Sequence, residues 1–333
     1  MLNYILGRLL RMAPQIFLIS ILAFIIIQLP PGDYLTTQIQ RLQASGVQVN
    51  EDQIKTLTAT YGLDKPLIYQ YGKWIWNIVR YGNFGYSFLW GQPVNEILLG
   101  RLGMTFFIAF LSFVVCWGLA IPIGIYVAVK QYSIADYFFT FMGFIGLATP
   151  GFLLALVLMF ICYAKLGIKV GGLYSPEFMV LPMSYAKFLN LLSHIWLPVI
   201  ILAIGGTANL IRTLRATMLD ELHKPYVTVA RAKGLSELKV ILQYPVRIAI
   251  NPILSTIGWL LVWFFSGGMV VEIVMNLDTA GPVLWRALIN QDMYTAGAYI
   301  LILGFLTALG SLISDLFLAF NDPRIRFGAM EAA

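Results

Sequence analysis

Side chains that could move protons, attack a substrate or hold a metal are scarce in this sequence. There are two histidines, His194 and His223, and neither sits at metal-ligand spacing, so no metal site is expected. Cys116 and Cys162 fall inside apolar runs, where they read as small core residues rather than as a disulfide or a ligand pair. No G-x-x-x-x-G-K-[ST] run occurs, so the chain lacks the loop that cradles ATP phosphates by that mechanism. Glu272 and Asp315 lie toward the ends of apolar stretches whose centres hold neutral groups such as Thr207 and Asn209. An ion-coupled carrier would use one of those two carboxylates, although such carriers place ionisable groups near the bilayer midplane. The residues point away from an enzyme.

The richest polar stretch is residues 212–251, which carries Arg212, Arg215, Lys224, Arg231, Lys233, Lys239 and Arg247. Residues 215–233 read as one helix with Gly234 as its stop. Leu235 then precedes Ser236, an N-cap candidate, and Val240 stands where a hydrophobic staple to Leu235 would pack. Two short helices joined by a Gly-Leu-Ser elbow make a knob that suits a groove on a cytoplasmic partner. An amphipathic interfacial helix with lipid-facing cations has the same pattern.

The elements that position these groups are membrane helices. Of 333 residues, 59% are hydrophobic and 11% charged, against about 25% charged in a soluble domain. Six apolar runs, at residues 9–29, 103–129, 134–164, 190–211, 252–275 and 297–320, each reach the roughly 20 residues a bilayer demands. The net charge of +6 is spread over short connecting stretches rather than one basic face, which argues against nucleic acid as a partner. With six spans both termini share a face. That face collects Arg8, Arg11, Lys130, the seven cations of residues 212–251, Arg324 and Arg326, against Lys165, Lys169, Lys187 and Arg286 opposite, once residues 32–102 are set aside because long loops barely obey the charge bias. By the positive-inside bias both termini are cytoplasmic.

The first run lacks a small-x-small cleavage site and reads as an uncleaved span. Residues 1–30 therefore hold the first transmembrane helix and residues 31–102 a large external segment. Residues 103–320 form a core of five further helices containing the cytoplasmic loop 212–251, and residues 321–333 a cytoplasmic tail. Within the external segment residues 38–61 are helix-like and polar. Trp74, Trp76, Tyr81, Phe84, Tyr86, Phe88 and Trp90 read as an interfacial aromatic belt, with a sugar- or peptide-contacting surface as the alternative. Ser133 with Asp136 three residues on fits a helix N-cap. Pro122, Pro150 and Pro198 permit kinks, as gating hinges or as ordinary membrane prolines.

Tyr226-Val-Thr-Val-Ala-Arg-Ala-Lys-Gly-Leu-Ser-Glu237 resembles the "EAA" loop of binding-protein-dependent ABC importer permeases, in the form seen in the dipeptide and oligopeptide family. Pro31-Gly-Asp33, Tyr61-Gly-Leu-Asp-Lys-Pro66, Gly82-Asn-Phe-Gly-Tyr-Ser87, Pro93-Val94, Gly267-Gly-Met-Val-Val-Glu272 and Asp322-Pro-Arg-Ile-Arg326 resemble other stretches of that family in order and spacing. The chain departs from it at Thr228, near the place of the first Glu, at Gln243-Tyr244, and at Asn276-Leu-Asp-Thr-Ala-Gly281.

The resemblance implies an all-α polytopic permease of type I importer architecture with six transmembrane helices in a prokaryotic inner membrane. Its implied partners are a homologous second permease, two cytoplasmic ATP-binding subunits carrying ATP and Mg, an extracytoplasmic solute-binding protein and the lipid bilayer. No cofactor is expected on this chain. Tyr226, Ala230, Arg231, Ala232, Lys233, Gly234, Leu235, Ser236 and Glu237 would be the ATPase-coupling loop, and Glu272, Pro150 and Asn209 gate or path residues. The implied solute is a peptide, with an oligosaccharide or a metal chelate as alternatives.

Overall fold

The computed structural model describes residues 2–28, 65–87, 89–168, 170–266 and 268–321. The expected polar helix at residues 38–61, the motifs at 31–33 and 322–326, most of the motif at 61–66, and the tail beyond residue 321 lie outside these residues.

In chain order the elements begin with α1 (Leu2–Gln28), α2 (Leu67–Tyr81), a minimal hairpin of β1 (Tyr86–Ser87) and β2 (Gln92–Pro93), α3 (Val94–Val129), α4 (Ile134–Ala148), α5 (Gly151–Leu166) and α6 (Pro176–Met179). They continue with α7 (Tyr185–Leu222), α8 (Pro225–Ala232), α9 (Glu237–Gln243), α10 (Pro245–Ala249), α11 (Asn251–Leu254), α12 (Ile257–Ser266), α13 (Met269–Val274), α14 (Ala280–Ile289) and α15 (Met293–Asn321). Among the described residues, α1, α3, α7, α12 with α13, and α15 are long and apolar enough to cross a bilayer. The pair α4 and α5 meets the same criterion across a bend of 104°, which makes six if the pair counts as one span.

Several boundaries move relative to the hydropathy reading, each for a physical reason. The second span begins at Val94 rather than 103, because Ile97 and Leu98 are buried while Asn95, Glu96 and Arg101 depress the local hydropathy. The fourth runs to Leu222 rather than 211, so the loop expected from residue 212 starts eleven residues later. Its charge at Arg215 is neutralised inside the protein. The single helix expected over residues 215–233 is two helices, with His223 and Lys224 between them and Pro225 opening α8. The third span breaks at Thr149, which is extended (φ −89°, ψ 119°) as a residue before proline prefers. Pro122 and Pro198 are accommodated within continuous helices.

The chain divides into two compact units. In the first, comprising residues 1–10, 105–281 and 306–333, α4 packs along α7 through small residues. A Cβ on Gly143 would touch the Ala208 methyl at 3.7 Å and one on Gly146 would press Ile204 at 3.0 Å. α12 and α15 meet backbone to backbone, since a Cβ on Gly258 would come within 2.6 Å of the Gly310 carbonyl carbon. Close approach through small residues is how helices associate where lipid offers no hydrophobic incentive. Asp136 and Arg215 join α4 to α7 as well: Nε and Nη2 of Arg215 donate to the two carboxylate oxygens at 2.8 Å each. The Tyr132 amide donates to the same carboxylate at 3.0 Å, and the Ser133 hydroxyl caps α4 by accepting from the Asp136 amide.

The second unit comprises residues 11–104 and 282–305. Here α2 lies on α1 and the start of α15 through Phe24, Ile27, Trp74 and Met293. Tyr71 hydrogen bonds Ser20 at 2.7 Å, and the Trp74 indole donates to the Phe84 carbonyl at 3.1 Å. The Ser87 hydroxyl donates to Asp292, which accepts from Thr295 at 3.0 Å in the first turn of α15.

Arg215→Ala leaves the Asp136 carboxylate buried without its guanidinium, and the expected cost is about 3 kcal/mol. Thermal scanning of the detergent-solubilised protein reads it as a lower midpoint. Replacing both residues by Leu should recover most of that loss; equal damage in the double variant would mean that α4 and α7 need the pair itself.

Candidate functional site

The polar elbow expected between two short helices is built by α8 and α9. Val227, Ala230 and Val240 form its small core, with Tyr226, Leu235 and Tyr244 packed around them. Leu235 thereby meets Val240, as a staple requires. Gly234 turns the chain with φ +76°, a left-handed conformation that glycine adopts without penalty, while its amide donates to the Arg231 carbonyl at 2.9 Å. Ser236 occupies the cap position of α9, but its side chain makes no capping bond.

An ion pair spans the elbow on its outer side: Arg231 Nη2 donates to a Glu237 carboxylate oxygen at 2.6 Å and Nε reaches both oxygens at 3.1 and 3.2 Å. The guanidinium holds the Glu237 carboxyl below the usual carboxylate range. Tyr226 is tied inward, its hydroxyl donating to Glu221 at the end of α7, and burial together with that carboxylate pushes the phenol up. What remains outside is a knob of Ala232, Lys233 and Gly234 beside two exposed apolar side chains, Val229 and Leu238, at 53% and 69% exposure.

The nine residues singled out for this loop therefore divide by role. Ala230, Tyr226 and Leu235 hold the elbow together, Gly234 shapes it, and Arg231, Ala232, Lys233, Ser236 and Glu237 face outward. From the elbow α7 runs back without interruption. Thirteen residues, about 20 Å at 1.5 Å per residue, separate Leu222 from Asn209.

Asn209 lines a cavity of about 450 Å³. Its walls come from Gly146 on α4, Thr149 and Pro150 at the bend, Phe152 on α5, Ile201, Gly205 and Gly206 on α7, Trp259 and Trp263 on α12, and Val271 on α13. The lining is mostly apolar with isolated polar groups, and the volume falls in the roughly 300–1,000 Å³ range of small-ligand sites. Pro150 and Asn209, far apart in sequence, are brought to one cavity.

Glu272 is not brought there. It is buried, with its carboxylate accepting from the Thr279 hydroxyl at 3.0 Å and from the Gly281 amide. Gly281 leaves room for that carboxylate, which a Cβ would displace. Next to it the Ala280 amide donates to Thr105 at 2.9 Å. Glu272 thus pins the turn after α13 and does not line the cavity. Asp315 pairs with Arg8 at 3.0 Å. Sequence reasoning missed the Asp136–Arg215 clamp. Its signal was present, a carboxylate in the first turn of one span and an arginine in the extension of another, but nothing in the sequence pairs them.

Two profiles of one family cover nearly the whole chain. Binding-protein-dependent transport system inner membrane components match over residues 120–327, and the N-terminal part of such membrane components over residues 1–109. The chain belongs to this family. The matched core holds both the elbow and the cavity, and with its apolar helices it makes the protein a multi-pass inner-membrane permease subunit, a transport component rather than an ATPase. The permease is 32% identical to the oligopeptide transport system permease protein AppB of Bacillus subtilis, covering 97% of this chain and 99% of the relative. It is 30% identical to a putative peptide permease protein of Brucella ovis, over 98% of this chain and 99% of the relative. With the oligopeptide transport system permease protein OppB of Haemophilus influenzae the identity is 29%, over 98% and 100%.

Gly234→Val puts a β-branched side chain into a left-handed turn and should cost about 1–2 kcal/mol locally, seen as faster amide exchange across α8 and α9 with the remaining helices unchanged. The Arg231–Glu237 pair has its own pH signature. Because the Glu237 pKa is depressed in the folded chain, the pair's contribution is present above the ordinary carboxylate range and is lost as pH falls through the lowered value. Exchange protection in the elbow should therefore fall in acid, and Glu237→Gln should remove that dependence.

Proposed function

We propose that this permease carries peptides across the inner membrane as half of a translocation path, with a homologous permease as the other half. Cytoplasmic ATPases, which bind the ATP and Mg, grip the α8–α9 elbow, and an extracytoplasmic solute-binding protein delivers the peptide. The single observation that carries the reading is α7: one unbroken helix forms a wall of the cavity at residues 201–209 and ends beside the elbow at Leu222.

Displacement of the elbow by ATP-driven closure of the motor then acts at the cavity through a rigid lever. The Asp136–Arg215 clamp makes α4 follow α7, so the Thr149–Pro150 bend, itself a cavity wall, moves with it. Alternating access follows from tilting these walls against the partner permease. Cytoplasmic placement of both termini is supported by the excess of Lys and Arg on the elbow side. Peptide is favoured over oligosaccharide because the relatives covering the full chain are named as peptide or oligopeptide permeases.

Proteoliposomes holding the complete transporter test the coupling role. Gly234→Pro and Arg231→Glu should reduce ATP-dependent peptide uptake by tenfold or more while leaving the permease inserted at wild-type level, with less ATPase retained on affinity purification. Wild-type uptake in both variants would remove the docking role from the elbow. Competition of uptake by short peptides but not by oligosaccharides identifies the solute class.

A further inference from the structure

The sequence of α2 sorts into three faces. Tyr71, Trp74, Ile75 and Ile78 pack on α1 and the start of α15. Gln70, Lys73 and Asn77 make a second, polar face, which borders a pocket with Asn83 and Tyr86. Between these two faces runs a third, made of Ile68, Gly72, Trp76 and Val79 at helical spacing. It is exposed: Ile68 at 82%, Val79 at 78% and Trp76 at 61%. An apolar stripe beside a basic polar face with no acidic residue on the helix is the pattern of a helix lying in a membrane interface, not of one standing in water.

Depth supports the same conclusion. The span that α2 packs on ends at Gln28, which bonds Gln70 at 3.2 Å, yet Tyr71 of α2 bonds Ser20, eight residues further in. At 1.5 Å per residue that is about 12 Å below the end of α1. Ile68 also borders a shallow groove with Phe17, Ile21 and Ile25 of α1, so the stripe continues a span surface that already faces lipid. Beneath α2, Gly72, Trp76 and Val79 wall a second groove of about 820 Å³ with Phe17 and Phe305, almost wholly apolar. Lys73 and Arg80 flank the stripe on its polar edge, next to Trp76, where their long side chains can reach phosphate groups of the interface.

We propose that α2 lies inside the bilayer leaflet that meets the C-terminal end of α1, with its Ile68–Trp76–Val79 stripe covered by phospholipid acyl chains, one of which fills the groove beneath it. The external segment is then anchored in lipid at its centre rather than free above the membrane. The inference needs only that α1 and α15 are membrane spans and stands apart from the choice of solute or motor.

Power-saturation electron paramagnetic resonance in vesicles of phosphatidylethanolamine and phosphatidylglycerol tests it. Nitroxide labels go singly on Cys introduced at Ile68, Trp76, Val79, Asn77 and Arg80, with Cys116 and Cys162 replaced by Ala and folding checked by gel filtration. The expected result is accessibility to oxygen above that to a water-soluble nickel chelate at Ile68, Trp76 and Val79, and the reverse at Asn77 and Arg80. Nickel accessibility dominating at all five positions would place α2 in water and overturn the proposal. Protection of the three stripe positions from both reagents would show a protein surface covering them and would overturn it too.

Discussion

A buried carboxylate paired with a half-buried guanidinium between two membrane helices constrains much else in this permease. Taking a charge out of water is expensive, and the buried Asp136 carboxylate is tolerable because Arg215 meets it in a two-point hydrogen bond, with the Tyr132 amide and Thr140 hydroxyl supplying further donors. Arg215 can then sit inside a helix, and so α7 continues past the apolar run for a further eleven residues to Leu222. A shorter α7 would end near the cavity and leave the elbow on a flexible tether. The clamp lies along α7 between the cavity and the elbow.

Around this tie the packing relies on absent side chains. Gly143 and Gly146 let α4 close on α7, Gly206 admits the sulfur of Cys116, and Gly258 and Gly310 let two helices touch by their backbones. Such contacts bring helix backbones together and leave little room for either helix to shift against the other. The cavity, by contrast, is bounded by the one helix pair among the described residues that meets the span criterion across a sharp bend, where Pro150 removes a helical hydrogen bond and Thr149 turns extended.

The elbow follows a different rule. With a core of only three buried residues it has little stability of its own, and its outer Arg231–Glu237 pair is open to solvent and screened. Its shape comes from Gly234 and from Tyr226, which anchors it to α7 through Glu221. The exposed Val229 and Leu238 have no partner within the elbow, which leaves apolar surface for a groove to receive.

Most of this protein's class was legible in its residues. Apolar runs of bilayer length and few charges determine a multi-pass helical membrane protein, because in hydrocarbon each backbone group must be bonded internally and a helix does this within one segment. The stretch from Tyr226 to Glu237 determined the elbow and its glycine stop, since both depend on neighbours in sequence. Tertiary structure decided the rest. Hydropathy ended α7 at Arg212 because it weighs a charge without its partner, and the partner of Arg215 is 79 residues away. Glu272, a gate or path residue by resemblance, bonds Thr279 and Gly281 and lies outside the lining of the cavity that Pro150 and Asn209 share, a placement no local pattern encodes. Pro150 and Asn209 share a cavity that no local pattern encodes, since it exists only where α4, α5, α7, α12 and α13 enclose it. Local sequence determines what each segment is able to become; which charges are cancelled and which surfaces enclose space depends on contacts between segments remote in the chain.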